Sequence, residues 1–124
     1  MTLKINGKDC RLNFGVGFIR ELDSKYFMQS KTGARFGSGL ETKVPMLLSG
    51  DAVTLSEFIH LGTAGMEKDR PSIQEVDEYI DSAEDIEGLF DQVVDELKKS
   101  NACKVKVQKM EKNMKEAEEK MKEQ

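Results

Sequence analysis

Asn6-Gly7 sits between two short alternating segments, with Leu3 and Ile5 before it and Cys10, Leu12 and Phe14 after it. Asn-Gly accepts positive φ at both central positions of a two-residue turn, so the pattern predicts two antiparallel strands tightly joined. A lone hairpin is only marginally stable in water, and the apolar side chains of this one demand a cover. Almost everything that follows has helical rather than strand periodicity. The chain is therefore expected to be α+β and mainly helical, with an N-terminal β-hairpin packed on a bundle of about four to five helices and a C-terminal charged helical tail.

The cover is expected from about residues 16–29, where Phe18, Ile19, Leu22, Tyr26 and Phe27 recur at helical spacing while Arg20, Glu21, Asp23 and Lys25 stay outside. Residues 30–39, with Gly33, Gly37 and Gly39, read as a polar loop interrupted by Phe36. From about Leu40 the period is helical again, carrying Val44, Leu47 and Leu48, and Pro45 is expected in the first turn, where a missing N–H costs nothing. Thr54-Leu55-Ser56-Glu57 reads as a capping box opening a further helix that buries Leu55, Phe58, Ile59 and Leu61. Pro71-Ser72-Ile73-Gln74-Glu75 restarts the chain with Ser72 as N-cap and Glu75 as its partner, and Ile73, Val76 and Ile80 are expected to face inward. After another start at Ser82 to Asp85, the residues Ile86, Leu89, Phe90, Val93, Val94 and Leu97 form the densest apolar stripe of the chain.

Apolar residues make up 38% of the 124 and charged residues 34%, so the core must be concentrated before Leu97. Two regions are expected: residues 1–99 as a compact α+β domain, and residues 100–124 as a Lys/Glu/Met-rich tail, helical or partly disordered. In that tail Val107, Met110, Met114, Ala117 and Met121 repeat at the three-four rhythm of a helix that pairs with another helix. Val107, Met110, Met114 and Met121 are the candidate partner-binding residues. A Met/Ala seam is well suited to adaptable apolar contact and weak as an isolated zipper. In a parallel pairing Lys106 would face Glu111 of the second helix, an exposed pair contributing about 0.3 to 0.5 kcal/mol.

Net charge is −4, distributed as +2 over residues 1–65, −10 over residues 66–97 and +4 over residues 98–124. Such blocks attract their counterparts on a neighbouring copy, or fold onto each other, within a Debye length of about 8 Å.

No catalytic, cofactor-binding or metal-binding set is apparent. Cys10 and Cys103 have neither CxxC spacing nor a histidine nearby. His60, the one histidine, lies in an apolar helix without a recognisable nucleophile. Gly15-Val16-Gly17 lacks the rest of a nucleotide-binding fingerprint, and the acids from Asp77 to Asp91 do not follow the calcium-loop pattern. No segment reads as a signal peptide or a membrane span, and a cytosolic, soluble protein is expected. Two classes of function stay open from the residues alone. One is an oligomerising interaction module; the alternative is a small oligomeric regulatory protein that binds nucleic acid through Lys98, Lys99, Lys104, Lys106, Lys109 and Lys112. The neighbouring acids disfavour the second.

The order LKINGKDCRLNFGVGFIRELD, RPSIQEVDEYIDS, DIEGLFDQVVDELKKSN and a Lys/Glu tail resembles the tail assembly chaperones of long-tailed bacteriophages of Gram-positive bacteria, over nearly the whole chain. The resemblance implies a non-enzymatic helper without cofactors. It implies binding to the tape measure protein, which is kept soluble while tail tube subunits gather around it. It further implies homo-oligomers, a longer frameshifted form that engages the major tail tube protein, residence in the host bacterial cytoplasm during infection, absence from the mature virion, and no nucleic-acid or membrane partner.

Overall fold

The computed structural model describes residues 1–122; the last two residues of the expected tail, Glu123 and Gln124, lie outside the described residues. Strands β1 (Thr2–Ile5) and β2 (Lys8–Arg11) pair antiparallel, with Leu3 opposite Cys10 and Ile5 opposite Lys8. The turn between them places Asn6 at φ 50° and Gly7 at φ 75°, as a two-residue hairpin of this chemistry requires. Leu3, Ile5 and Cys10 are buried on one face, which α-helices cover.

Helix α1 (Val16–Lys25) buries Phe18 and Leu22 and ends at Tyr26. The expected helix over 16–29 is therefore too long, and the loop expected at 30–39 is partly a second hairpin, β3 (Phe27–Gln29) with β4 (Arg35–Gly37). Phe27 continues the helical period of α1 in sequence but leaves it in space. Aromatic residues suit a strand as well as a helix, so the period alone does not locate the break.

Helices α2 (Gly39–Leu48), α3 (Ala52–Gly62), α4 (Ile73–Asp81) and α5 (Ile86–Lys99) complete the expected bundle, and α6 (Lys104–Lys122) follows it. Gly39 marks a close approach rather than loop flexibility: a Cβ there would fall 2.6 Å from Leu22 Cγ, and its N–H donates to Asp23 Oδ1 at 2.9 Å. Pro45 lies inside α2 rather than in its first turn. Its missing donor leaves the Glu41 carbonyl without the usual i+4 partner, and Glu41 is exposed to solvent. The N-cap of α3 is Asp51, which accepts from the Thr54 N–H at 3.1 Å and from the Thr54 hydroxyl, so Thr54 is the capped residue and not the cap. Ser72 and Glu75 form the expected capping box on α4, and Asp85 caps α5 through the Gly88 N–H.

One apolar cluster runs from Leu3 to Val107. Phe14, Phe18 and Phe58 stack edge-on through it, with centroids 5.0 Å and 5.2 Å apart. Ile73, expected inside, is 43% exposed because α4 turns only Val76 and Ile80 fully inward. At the α5–α6 junction the Ser100 hydroxyl donates to the Phe14 carbonyl at 2.6 Å and Cys103 Sγ lies 3.3 Å from the same oxygen, which ties the start of α6 to the end of the first hairpin. Cys103 and Val107 are fully buried. The two thiols are free, and burial raises both above the usual thiol range, which keeps them protonated and unreactive at neutral pH.

Candidate partner-binding groove

Helix α6 lies against α2 and α5 for its first three turns and then leaves the body. Two ion pairs set its position. Lys106 Nζ meets Glu41 on α2, and Lys98 Nζ on α5 lies 3.0 Å from Glu111 Oε2 and 3.4 Å from its Oε1. The hydrogen bond from Lys98 is the main reason the Glu111 carboxyl sits below the usual glutamate range, against the opposing effect of its partial burial. Both residues of the inter-helical pair expected for a parallel zipper are thus engaged within the chain.

Between the C-terminal end of α2, the outer face of α5 and the middle of α6 is a groove of about 720 Å³. Its apolar lining is the buried Leu47 and the half-buried Leu48, Phe90, Val94 and Met114, and each of the latter four contributes to the core with one side and offers the other to the groove. Glu87, Asp91 and Asp95 form the α5 wall, and Glu111, Lys115 and Glu118 the α6 wall. Lys98 and Lys115 are the cations of this lining, and both reach Glu111, at 3.0 Å and 3.6 Å. The acids of the α5 wall leave the rim negative overall.

The four partner-binding candidates have different environments. Val107 is fully buried, Met110 is half-buried against the core, Met114 lines the groove, and Met121 is 77% exposed on the projecting end of α6. Every described residue after Met114 is exposed. Leu48 and the Ser49-Gly50 turn, which close the third side of the groove, carried no signal in the sequence beyond an ordinary amphipathic helix end. Their proximity to Phe90 and Met114 depends on how three helices cross.

Among the described residues no group of three or more His, Cys, Asp or Glu side chains is arranged to hold a metal ion, and no helix is long and apolar enough to cross a membrane. His60 is half-buried, and burial and the nearby Arg70 hold its imidazole below the usual histidine range. Arg70 itself donates to the His60 carbonyl at 3.0 Å and to the Thr63 hydroxyl at 3.2 Å, closing the end of α3.

The hairpin packed on the helical bundle thus leaves one open groove with an apolar floor between α2, α5 and α6. A family model described as phage tail assembly chaperone protein, TAC, matches residues 2–112, which takes in both hairpins, all the bundle helices and the packed half of α6. The chain belongs to the phage tail assembly chaperone family. No curated protein and no solved structure matches it. Membership makes the chain an assistant in tail assembly, with phage tail proteins as its class of partner.

Proposed function

We propose that this chaperone holds the tape measure protein by laying one of that protein's amphipathic helices along the groove between α2, α5 and α6. The observation that carries the reading is the line of half-buried apolar side chains, Leu48, Phe90, Val94 and Met114, with a projecting α6 that extends the seam through Ala117 to Met121. A helix that presents apolar anchors at i, i+3, i+4 and i+7 fits such a trough, and covering that face keeps it from aggregating. The negative α5 wall favours a helix with Lys or Arg beside its anchors. Met114 and the α6 arm supply flexible apolar contact, which suits a long partner whose helical faces vary.

The experiment is co-expression with the tape measure protein. Met114→Glu places a charge in the groove without touching the fully buried core. It is expected to reduce soluble tape measure protein by about fivefold or more, equivalent to about 1 kcal/mol at a central contact, with the chaperone's own melting temperature nearly unchanged. Unchanged tape measure solubility with this variant removes the groove from the reading.

The same reading includes homo-oligomers of the short form, engagement of the major tail tube protein by a longer frameshifted form, action in the cytoplasm of a Gram-positive host, and departure before the virion is complete. Its support is the pattern of motifs along the chain together with family membership. Mass spectrometry of infected cells is expected to find both forms and purified virions to contain neither. Chaperone peptides in virions at the level of structural proteins would contradict it.

A further inference from the structure

The groove between α2, α5 and α6 is charged unevenly along its length. Lys98 and Glu111 join its two walls at one end, and Lys115 reaches the same carboxylate at 3.6 Å. From that joint the lining recedes along α5 to Glu87, about 16 Å away, and along α6 to Glu118, about 10 Å away. The joint holds two cations and one carboxylate, whereas the mouth at the far end holds Glu87, Asp91 and Glu118, all exposed, and no cation. Among the described residues none of these three carboxylates lies within ion-pair distance of a Lys or Arg. Asp95, between the two ends, is 3.9 Å from Lys98. The α2 side, from Leu47 to Gly50, is uncharged.

Spacing on α5 turns this into a pattern that another helix can match. Glu87, Asp91 and Asp95 recur every fourth residue, so they form one row that climbs the wall in steps of about 6 Å. Phe90 and Val94 form the neighbouring row. A helix that seats its apolar anchors on Phe90, Val94 and Met114 therefore carries its next row of side chains past Glu87 and Asp91. Unpaired carboxylates there attract a basic row and repel an acidic one. At the joint the sign reverses, because Lys98 and Lys115 outnumber Glu111 and a further cation meets a positive surplus.

We infer that the groove selects a charge-polarised amphipathic helix, with Lys or Arg at four-residue spacing over Glu87, Asp91 and Glu118 and with neutral or acidic residues over the Lys98–Glu111 joint. The polarised pattern rests on the groove reading above and names the residues that choose among helices of similar apolar face. Rejection of an acidic row at the mouth contributes as much to the choice as attraction of a basic one. The pairs at the mouth are exposed, so each adds little, and their sum gives a preference of about tenfold at low salt that shrinks as salt rises.

Fluorescence anisotropy of synthetic helical peptides titrated with the full chain tests this without any tail protein. Three labelled peptides share Leu anchors at i, i+3, i+4 and i+7 and differ in the flanking row, which is Lys throughout, Glu throughout, or Lys in one half and Glu in the other. The all-Lys peptide is expected to bind about tenfold more tightly than the all-Glu peptide, and the half-and-half peptide at least as tightly as the all-Lys one. The triple variant Glu87→Gln, Asp91→Asn, Glu118→Gln should abolish most of that preference. Glu78→Gln with Asp81→Asn and Glu84→Gln removes as many exposed carboxylates from outside the groove and should leave the preference intact. Equal binding of the all-Lys and all-Glu peptides by the wild type overturns the inference and leaves the groove reading standing. An all-Lys peptide that binds more tightly than the half-and-half peptide overturns the polarity, and an equal loss in the second triple variant overturns the assignment to the mouth. Binding of none of the three removes the groove reading and the inference together.

Discussion

Glu75 links two elements through one carboxylate. Its Oε1 accepts from the Ser72 N–H at 3.1 Å, closing the capping box of α4, and its Oε2 accepts from Asn6 Nδ2 at 2.6 Å, so the turn residue of the first hairpin is held to the helix. These hydrogen bonds, that from Asn6 first, put the Glu75 carboxyl below its ordinary value of 4.5. Between that value and the lowered folded one the folded state binds fewer protons than the unfolded state, so the contribution is fully present above 4.5 and is lost as pH falls through the lowered folded value. Urea unfolding of the wild type and of Glu75→Gln should differ near neutral pH and converge as the pH falls through the lowered value of the folded carboxyl; a gap that persists unchanged at acid pH contradicts the ionised role. The Ser72–Glu75 pair was legible because its spacing has a local meaning. Asp51 was not, since Thr54-Leu55-Ser56-Glu57 offers the same spacing and only the path of the chain shows that the helix has already begun by Ala52.

At the scale of elements, α6 is two objects in one helix. Its N-terminal half is fixed by Cys103 and Val107 in the core, by the Ser100 hydroxyl on the Phe14 carbonyl and by the Lys106–Glu41 and Lys98–Glu111 pairs. Beyond Met114 it carries no packing. A chain ending after Met114 should therefore keep nearly the full unfolding free energy. Ending after Ser100 strips the core of two buried side chains and should leave a molecule that unfolds readily, and Val107→Ala alone should cost about 2 kcal/mol. Denaturant titrations check all three; equal stability of the two truncations would show that α6 adds nothing to the fold. The seam rhythm correctly marked one helical face, yet the period cannot say whether that face meets the chain's own bundle or another molecule. The β3–β4 hairpin shows a related ambiguity, because Tyr26 and Phe27 satisfy the period of α1 and Gly33 offers a positive-φ turn that a flexible loop would also use.

Across the whole molecule, the segregation of charge visible in composition becomes a geometric property. The acidic block lies on the outer surfaces of α4 and α5, where it provides the negative wall of the groove. In the basic block Lys98, Lys99, Lys106 and Lys115 pair with acids of the same chain.

What the sequence determined by itself was local in origin. The Asn6-Gly7 hairpin, the capping box at Ser72 and the amphipathic stripe of α5 follow from turn geometry, side-chain-to-backbone hydrogen bonds and the 3.6-residue period, each of which acts over a few residues. The tertiary structure alone decided which apolar surfaces were spent on the core and which were left for partners. Val107 and Met114 occupy one seam, two turns apart, and differ because the first is enclosed in the core while the second lines the open groove between α2, α5 and α6. Burial depends on the crossing of helices distant in sequence, and no local pattern carries that information.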